Sequence, residues 1–326
     1  AYGEIQSLTS TLQSATNALA LPTTAASTLA NSSDETILTA TASSLAEPGV
    51  YNVEVLNTAK SHSVVTDAYS SFDEIIGTGQ IQISFGDITY DGGGNFLSQD
   101  VDPTKGGPPI IIDDSNKTLS GIRDAINDAN IGAKASIIND GSGYRLVINS
   151  EETGASNGMR ILTLDDMGAT ATSGLSAIAY NETQTGPGTL SETAKGEDAQ
   201  LNVNGLTISR ESNLVTEVVP GVTLNLKSAD VGKPVTVAVE PDTAGLQSKI
   251  QAFVDAYNDF KQFSDDLTSY NADTDQAGLL LGDSTIRGIQ SQVRSMISQP
   301  IAGLTGTKYR SLTELGVNTN KDNDFL

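Results

Sequence analysis

Residues 201–260 read LNVNGLTISRESNLVTEVVPGVTLNLKSADVGKPVTVAVEPDTAGLQSKIQAFVDAYNDF, and the spacing of their apolar residues changes once, at Glu240-Pro241-Asp242. Before the change apolar and polar residues alternate, and this period of two predicts half-buried strands. After it, apolar residues recur at steps of four and three, which predicts a helix with a heptad seam. Pro241 cannot donate to a strand ladder, and the Asp242 carboxylate can accept from free helix N–H groups. We therefore expect a strand to end and a helix to begin here.

Three segments share the heptad spacing, and each predicts a helix that buries one face. The seam of the helix after Asp242 consists of Leu246, Ile250, Phe253, Tyr257 and Phe260. The seam of a helix expected over residues 3 to about 30 consists of Ile5, Leu8, Leu12, Ala15 and Leu19. Pro22 should kink or end that helix. The third seam consists of Ile286, Ile289, Val293 and Met296. Because each run is short, a helical bundle and a true coiled coil both remain open.

Strand signals dominate the chain between these helices. Apolar residues alternate over residues 49–55 and again over residues 80–85, which predicts two strands. A polar, glycine-rich stretch at residues 86–109 predicts a loop or a long hairpin. The apolar run at residues 110–112 predicts a short buried strand.

A helix followed by a hairpin is expected next. Thr118 is placed to cap a helix whose apolar face comprises Leu119, Ile122, Ile126 and Ala129. Gly132 stands where helices commonly end in a left-handed residue. Residues 133–139 and 144–149 flank the turn Asp140-Gly141-Ser142-Gly143, and this arrangement predicts a β-hairpin.

Composition excludes several classes of function. Among 326 residues there are 18 Lys plus Arg against 40 Asp plus Glu, for a formal net charge of −22. Nucleic acid and anionic lipid attract clustered basic residues, so neither nucleic acid nor a membrane is an expected partner. The chain contains 0 Cys, which removes disulfides, thiolate nucleophiles and Cys-based metal sites. The acidic excess also predicts that this chain is monomeric or weakly associated in dilute solution.

Few residues could support catalysis. His62 is the only histidine, and its neighbours Ser61 and Ser63 lead us to place it at the polar, exposed end of a strand. Adjacent carboxylates occur at Asp113-Asp114, Asp165-Asp166 and Asp265-Asp266. Because neighbours in sequence point apart, we interpret these pairs as solvated surface rather than as a glycosidase pair.

Two further stretches imitate ligand loops. The alternating Asn and Asp of residues 271–275 resemble the start of a calcium loop, but Gln276 and Gly282 replace the glycine and glutamate that an EF-hand requires. Residues 91–95, DGGGN, lack the Gly-Lys-Ser/Thr ending of a phosphate loop. We interpret the first as an inter-helix loop and the second as a turn. The sequence thus predicts no catalytic residue, no metal and no cofactor.

The amino-acid sequence of residues 201–260 closely resembles the C-terminal half of the bacterial flagellar filament cap family, also called flagellar hook-associated protein 2. The matching elements are the Asn204-Gly205 hairpin, Asn213, Pro220-Gly221, Asp242, Phe253, Tyr257 and Asn258. Residues 49–55, GVYNVEV, resemble the strand by which the family's N-terminal half enters its first head domain.

A second resemblance lies in the middle of the chain. The expected strand, helix and hairpin of residues 110–150 are similar to the flagellin hook IN motif, a module of flagellar surface domains. The residues that carry this resemblance are Ile126, Asn127, Ala135, Ser136, Leu146 and Ser150. It is independent of the first resemblance and points to the same organelle.

The patterns and the resemblance together imply an α+β multidomain fold. A helical-bundle or coiled-coil leg domain would carry two nested, β-rich head domains. The leg would comprise residues 1–40 plus 242–326, the first head residues 41–76 plus 191–241, and the inserted second head residues 77–190. The family's terminal coiled-coil segments are expected to be missing, so we interpret the sequence as a fragment.

The function implied by the resemblance is structural, namely a secreted, extracellular cap at the distal tip of the flagellum. A homo-oligomeric ring would retain exported flagellin and promote its folding and insertion. Its partners would be further copies of itself, flagellin, the hook–filament junction proteins and, for the full-length chain, an export chaperone. The alternative is an adhesin that binds host mucin or another glycan through the outer head, at residues 86–114 with Tyr90 and Phe96. A carboxylate hydrolase is set aside because no catalytic constellation is present.

Overall fold

A computed structural model describes residues 2–20, 27–184, 188–271, 275–298, 317–320 and 325–326. The chain divides into two compact units, one formed by Ala1–Leu29 with Glu240–Leu326 and the other by Ala30–Val239. The first contains most of the helical residues and the second most of the strands, so the chain is an α+β multidomain protein. The division between Val239 and Glu240 falls where the apolar period changes.

In chain order the helices are α1 (Tyr2–Ala20), α2 (Leu119–Ala129), α3 (Thr243–Thr268) and α4 (Ser284–Ser298). The strands are β1 (Thr28–Ser32), β2 (Leu38–Ala42), β3 (Gly49–Asn57), β4 (Ser61–Val65), β5 (Gly79–Tyr90), β6 (Phe96–Val101), β7 (Ile110–Ile112), β8 (Ala133–Asn139), β9 (Tyr144–Thr153), β10 (Gly158–Leu164), β11 (Ser191–Ala194), β12 (Ala199–Val203), β13 (Leu206–Arg210), β14 (Leu214–Val219), β15 (Val222–Leu226), β16 (Val235–Pro241), β17 (Tyr270–Asn271) and β18 (Gln276–Ala277). In the described ranges, no helix is both long and apolar enough to span a membrane.

The first helix is shorter than the sequence predicts. Helix α1 ends at Ala20, and residues 28–32 form β1 instead of continuing the expected helix to about residue 30. Strand β1 pairs with β16 at the edge of a sheet. Asn31 and Ser32 are weak helix formers, and the available sheet edge decides their conformation. Pro22 lies outside the described residues.

One core of the strand-rich unit draws on two sheets. Their strand orders are β1-β16-β3-β12-β13 and β14-β15-β2. Inward residues alternate along each strand, and Val53 with Val55 of β3 and Val235 with Val237 of β16 are buried. The expected turn at Asn204-Gly205 joins β12 to β13, and both of its residues have positive φ, at 51° and 90°.

The second core draws on two other sheets and on α2. The sheets have the orders β11-β4-β9-β8 and β10-β5-β6, and β7 also pairs with β5. Strands β5 and β6 form a long hairpin within residues 86–109, and the Asp91 side chain accepts from the Gly93 and Asn95 N–H groups in its turn. The hairpin expected at residues 133–149 is present as β8 and β9.

The second core extends beyond residues 77–190, the range expected for the inserted head. Strand β4 pairs with β9, and β11 pairs with β4. Residues 61–65 and 191–194 therefore belong to the sheets of this core, although they lie outside the expected range of 77–190. The N-terminal unit boundary also differs from expectation, since it lies between residues 29 and 30 rather than at 40. Short strands carry little local information about which partner strand they join.

Helix α2 begins as expected and ends differently. The Thr118 hydroxyl accepts a hydrogen bond from the Gly121 N–H at 3.1 Å and so caps the helix. The helix ends in the left-handed Asn130, with φ of 48°, and Gly132, two residues further on, also has a positive φ, of 90°. Asparagine tolerates this conformation better than other non-glycine residues, which explains why it can end the helix before Gly132 is reached.

Candidate functional site

Three of the family-matching residues are asparagines that bond both backbone groups of a distant residue. Asn127, on α2, donates through Nδ2 to the Ala135 carbonyl at 2.9 Å and accepts through Oδ1 from the Ala135 N–H at 2.8 Å. A side-chain amide offers the same donor and acceptor as a neighbouring strand. Asn127 thereby fixes β8 beside α2, while the adjacent Ile126 is fully buried.

Asn213 makes the same paired contact with Ala59. Its Oδ1 accepts from the Ala59 N–H at 2.8 Å, and its Nδ2 donates to the Ala59 carbonyl at 2.9 Å. Ala59 lies between β3, which belongs to the first core, and β4, which belongs to the second. Asn213 therefore anchors the segment through which the chain passes from one core to the other.

Asn258 repeats the contact in the helical unit. Its Oδ1 accepts from the Leu326 N–H at 2.9 Å, and its Nδ2 donates to the Leu326 oxygen at 3.1 Å. The Leu326 side chain packs against the core formed by α1, α3 and α4. The match to the family at these three positions thus coincides with one recurring kind of backbone contact.

Two further family-matching residues, Pro220 and Gly221, lie in one turn. Gly221, in the turn between β14 and β15, has φ of 74°, and a Cβ at this position would lie 2.5 Å from the Ala46 nitrogen. Its carbonyl accepts from the Ser43 N–H at 2.8 Å. Only glycine accommodates both the positive φ and the close approach of Ala46 without movement of the backbone. Pro220 precedes it in the same turn.

Asp242 caps α3. Its Oδ1 accepts from the Gly245 N–H at 2.7 Å, and its own N–H donates to the Ser27 carbonyl at 2.8 Å. A Cβ on Gly245 would lie 2.0 Å from Oδ2 of Asp242, so a side chain there would displace the capping carboxylate. Pro241 is the last residue of β16, at the expected change from strand to helix.

The predicted seam residues differ in burial. The buried ones are Ile5, Leu12, Phe253, Tyr257, Phe260, Ile286 and Val293, and they form one core. The half-buried ones are Leu8, Leu19, Leu246, Ile250 and Ile289. The side chain of Met296 lies outside the described residues. A role of these seams in assembly stays a prediction.

The expectation for His62 is wrong, because the residue is fully buried rather than exposed. Its Nδ1 accepts from the Met159 N–H at 3.0 Å, and its Nε2 lies 3.0 Å from Oε1 of Glu192. Since Nδ1 serves as an acceptor, the ring proton is on Nε2 and is donated to Glu192. The missed signal is the alternation of His62 with Val64, which places both on the inward face of β4.

A tyrosine completes this buried network. The Tyr90 hydroxyl donates to the same Glu192 oxygen at 2.5 Å. Burial raises the pKa of Glu192, but hydrogen bonds from His62 and Tyr90 outweigh burial and hold that pKa below its ordinary value. Burial, followed by the bond to Glu192, raises the pKa of Tyr90. Lys195 Nζ lies 3.4 Å from the centre of the Tyr90 ring, in a cation–π contact.

These contacts argue against the glycan-binding alternative. Phe96 is 9% exposed, and the half-buried ring of Tyr90 lies under a cationic side chain, so neither offers an open aromatic platform. An open cleft of about 700 Å³ borders the network. Its carboxylates Asp91, Glu182 and Glu192 are each hydrogen-bonded within the chain. The adhesin alternative therefore finds no support.

The remaining candidate sites do not converge on a ligand. Asp113 and Asp114 are exposed, and each of the other carboxylate pairs has one exposed and one half-buried member. In the calcium-like stretch, residues 272–274 lie outside the described ones, and β17 pairs with β18 across them. Over the parts of the chain that the structure covers, no three His, Cys, Asp or Glu side chains are grouped to hold a metal ion.

Comparison with known proteins shows which class of protein the chain resembles. Residues 1–62 match the family model for the flagellar hook-associated protein 2 N-terminus, and residues 196–326 match that for its C-terminus. The chain aligns with the crystal structure of the flagellar cap protein FliD D1-D2-D3 domains from Escherichia coli with a TM-score of 0.77 and 31% identity, over 99% of this chain and 83% of that one. The crystal structure of FliD (HAP2) from Pseudomonas aeruginosa PAO1 aligns with a TM-score of 0.54 and 30% identity, over 72% of this chain and 98% of that one. Fold and sequence are thus similar to those of flagellar cap proteins.

Curated relatives agree with this class. The chain is 33% identical to the B-type flagellar hook-associated protein 2 of Pseudomonas aeruginosa, over 99% of this chain and 66% of the relative. It is also 33% identical to the flagellar hook-associated protein 2 of Escherichia coli K12, over 100% of this chain and 66% of the relative. The chain belongs to the flagellar hook-associated protein 2 family. It spans 66% of the length of these two relatives.

Proposed function

We propose that the complete protein caps the distal tip of the bacterial flagellar filament. It would form a homo-oligomeric ring that retains exported flagellin and promotes its folding and insertion. The observation that carries the proposal is the alignment of 99% of this chain with the Escherichia coli flagellar cap protein at a TM-score of 0.77. Its place of action would be extracellular, at the flagellum tip.

The mechanism we propose is contact and confinement rather than bond chemistry. The helical unit would serve as the leg, and the two cores of the strand-rich unit would serve as a first head and a nested second head. Separate cores support this division, because each buries its own set of apolar side chains. The half-buried seam residues Leu246 and Ile250 would offer apolar contact to a neighbouring copy or to a flagellin helix.

The proposed partners are further copies of the chain, flagellin, the hook–filament junction proteins and an export chaperone for the full-length chain. Charge limits how copies can meet, since each chain has a formal net charge of −22. Assembly would require basic residues of one copy to face acidic residues of the next. It would also strengthen as salt screens the repulsion between copies.

The proposal is tested in bacteria that lack the gene for the complete protein. We expect swimming to be lost and unassembled flagellin to accumulate in the medium, because exported subunits are no longer retained at the tip. Reintroduction of the complete protein should restore both filament length and swimming. Filaments of normal length without the protein, measured by electron microscopy, would show that the proposed function is wrong.

A further inference from the structure

One contact in the helical unit joins residues that are 68 positions apart, Asn258 of α3 and Leu326. We propose that Asn258 and the adjoining helical core form a docking site for extended polypeptide backbone, occupied by this chain's own segment Phe325-Leu326. The inference does not depend on what the complete protein does at the flagellum.

The hydrogen bonds indicate recognition of backbone. Asn258 Oδ1 accepts from the Leu326 N–H at 2.9 Å, and Nδ2 donates to the oxygen of the same residue at 3.1 Å. One amide thereby satisfies both polar groups of one residue, as a neighbouring strand does in a sheet. Such a contact requires a locally extended backbone and is indifferent to the side chain that the docked residue carries.

Apolar packing provides the second, independent contact. The Leu326 side chain lies against the core of α1, α3 and α4, which includes the buried residues Tyr257 and Phe260. Leu326 is half-buried, so part of its side chain is removed from water. The backbone bonds and this packing act on one residue and together fix its position on α3.

The identity of residue 258 also fits a docking role. Asparagine is a poor residue for a helix interior, because its side chain competes for nearby backbone groups. Here its amide bonds Leu326 instead, and the preceding Tyr257 is buried in the core. The cost of closing a long loop grows only slowly with length, so two hydrogen bonds and one apolar contact can hold a distant segment.

The test measures hydrogen exchange at the Leu326 amide by NMR in the whole chain. Asn258→Ala should lower the protection of this amide roughly tenfold relative to the wild type, while amides of the α3 interior keep theirs. The matched control is Gln251→Ala, which removes an exposed amide that donates to Asp255 on the same helix. It should leave the Leu326 amide unchanged. Unaltered protection in Asn258→Ala, or an equal loss in Gln251→Ala, would overturn the proposal.

A second variant separates docking from general destabilisation. In Asn258→Asp the ionised carboxylate can accept from the Leu326 N–H but cannot donate to its oxygen. Protonation restores a donor, so protection should recover, relative to the wild type, as pH falls below the ordinary aspartate pKa of about 3.9. Asn258→Ala should show no such recovery. If both variants respond to pH alike, Asn258 does not hold the segment through its side chain.

Discussion

His62 Nε2 lies 3.0 Å from Oε1 of Glu192, although the residues are 130 positions apart. His62 is in β4, the first strand of the second core, and Glu192 is in β11, its last. The pair therefore joins the segment that enters this core to the one that leaves it. Tyr90 and the Met159 N–H attach the other sheet of the core to the same two side chains.

Removing the charge of Glu192 should destabilise the second core. In Glu192→Gln the bonds from His62 and Tyr90 lose their ionised acceptor, and we expect a loss of about 1.5–3 kcal/mol in the free energy of unfolding. The control is Glu197→Gln, at an exposed ion pair with Lys60, where we expect about 0–1 kcal/mol. Urea unfolding followed by circular dichroism measures both. Equal losses in the two variants would show that the bonds to the Glu192 carboxylate stabilise the fold no more than the exposed ion pair does.

The same variant makes a pH prediction. The pKa of Glu192 is lowered in the folded chain, because the bonds from His62 and Tyr90 outweigh the opposing effect of burial. A lowered folded pKa adds stability above the unfolded value, about 4.3, and that stability is lost as pH falls through the folded value. The wild type should thus lose its advantage over Glu192→Gln on acidification below about pH 4.3. An advantage that persists at the lowest pH would contradict the ionised state of Glu192.

Asn213→Ala should weaken the first core. The substitution leaves the N–H and carbonyl of Ala59 without their partner in a buried position, and we expect a loss of about 2–4 kcal/mol in the free energy of unfolding. Asn225→Ala, at an exposed position of β15, is the matched control and should cost about 0.5 kcal/mol or less. Thermal unfolding of the two variants checks the difference.

Two glycines with positive φ separate backbone strain from steric overlap. Gly205→Ala places a Cβ in open space and should cost about 1–2 kcal/mol from strain alone. Gly221→Ala adds a Cβ 2.5 Å from the Ala46 nitrogen. It should therefore cost about 1–3 kcal/mol more than Gly205→Ala. Equal unfolding midpoints would show that the turn after β14 moves away from Ala46 freely.

The more deeply a seam side chain is buried, the more its substitution by alanine should lower the free energy of unfolding. Phe260 is 2% exposed, and Phe260→Ala should lower the free energy of unfolding by about 3–5 kcal/mol. Leu246→Ala, at a half-buried position of the same helix, should lose about 1 kcal/mol. Helix unfolding monitored by circular dichroism gives both values. A larger loss in Leu246→Ala than in Phe260→Ala would contradict the difference in burial between these two side chains.

Association should depend on salt. The formal net charge of −22 opposes contact between copies, so this chain should sediment as a monomer or a weak oligomer at low micromolar concentration and low salt. Added salt should strengthen association, because it screens the repulsion. A tight ring at low salt, seen by sedimentation velocity, would mean that specific contacts overcome the charge.

Local sequence patterns predicted most of the helices and strands but little of the pairing between strands. Heptad spacing indicated α1, α3 and α4, and Asp242 and Thr118 were found as caps because a cap bonds N–H groups only a few residues away. The prediction for His62 is wrong because its polar neighbours indicate an exposed strand end, whereas its burial follows from its alternation with Val64. Glu192 was missed altogether, since the short polar strand β11 gives no local sign of the histidine that it faces.

The sequence by itself determined the family, the change from strand to helix at Pro241-Asp242, and the residues that match the family. These depend on periods and contacts within a few residues, which the order of amino acids contains directly. Only the tertiary structure decided that β4 and β11 join the second core and that Asn213 bonds Ala59. Those facts depend on which distant segments meet, and that choice is made by burial and hydrogen bonding over the whole unit rather than by local preference.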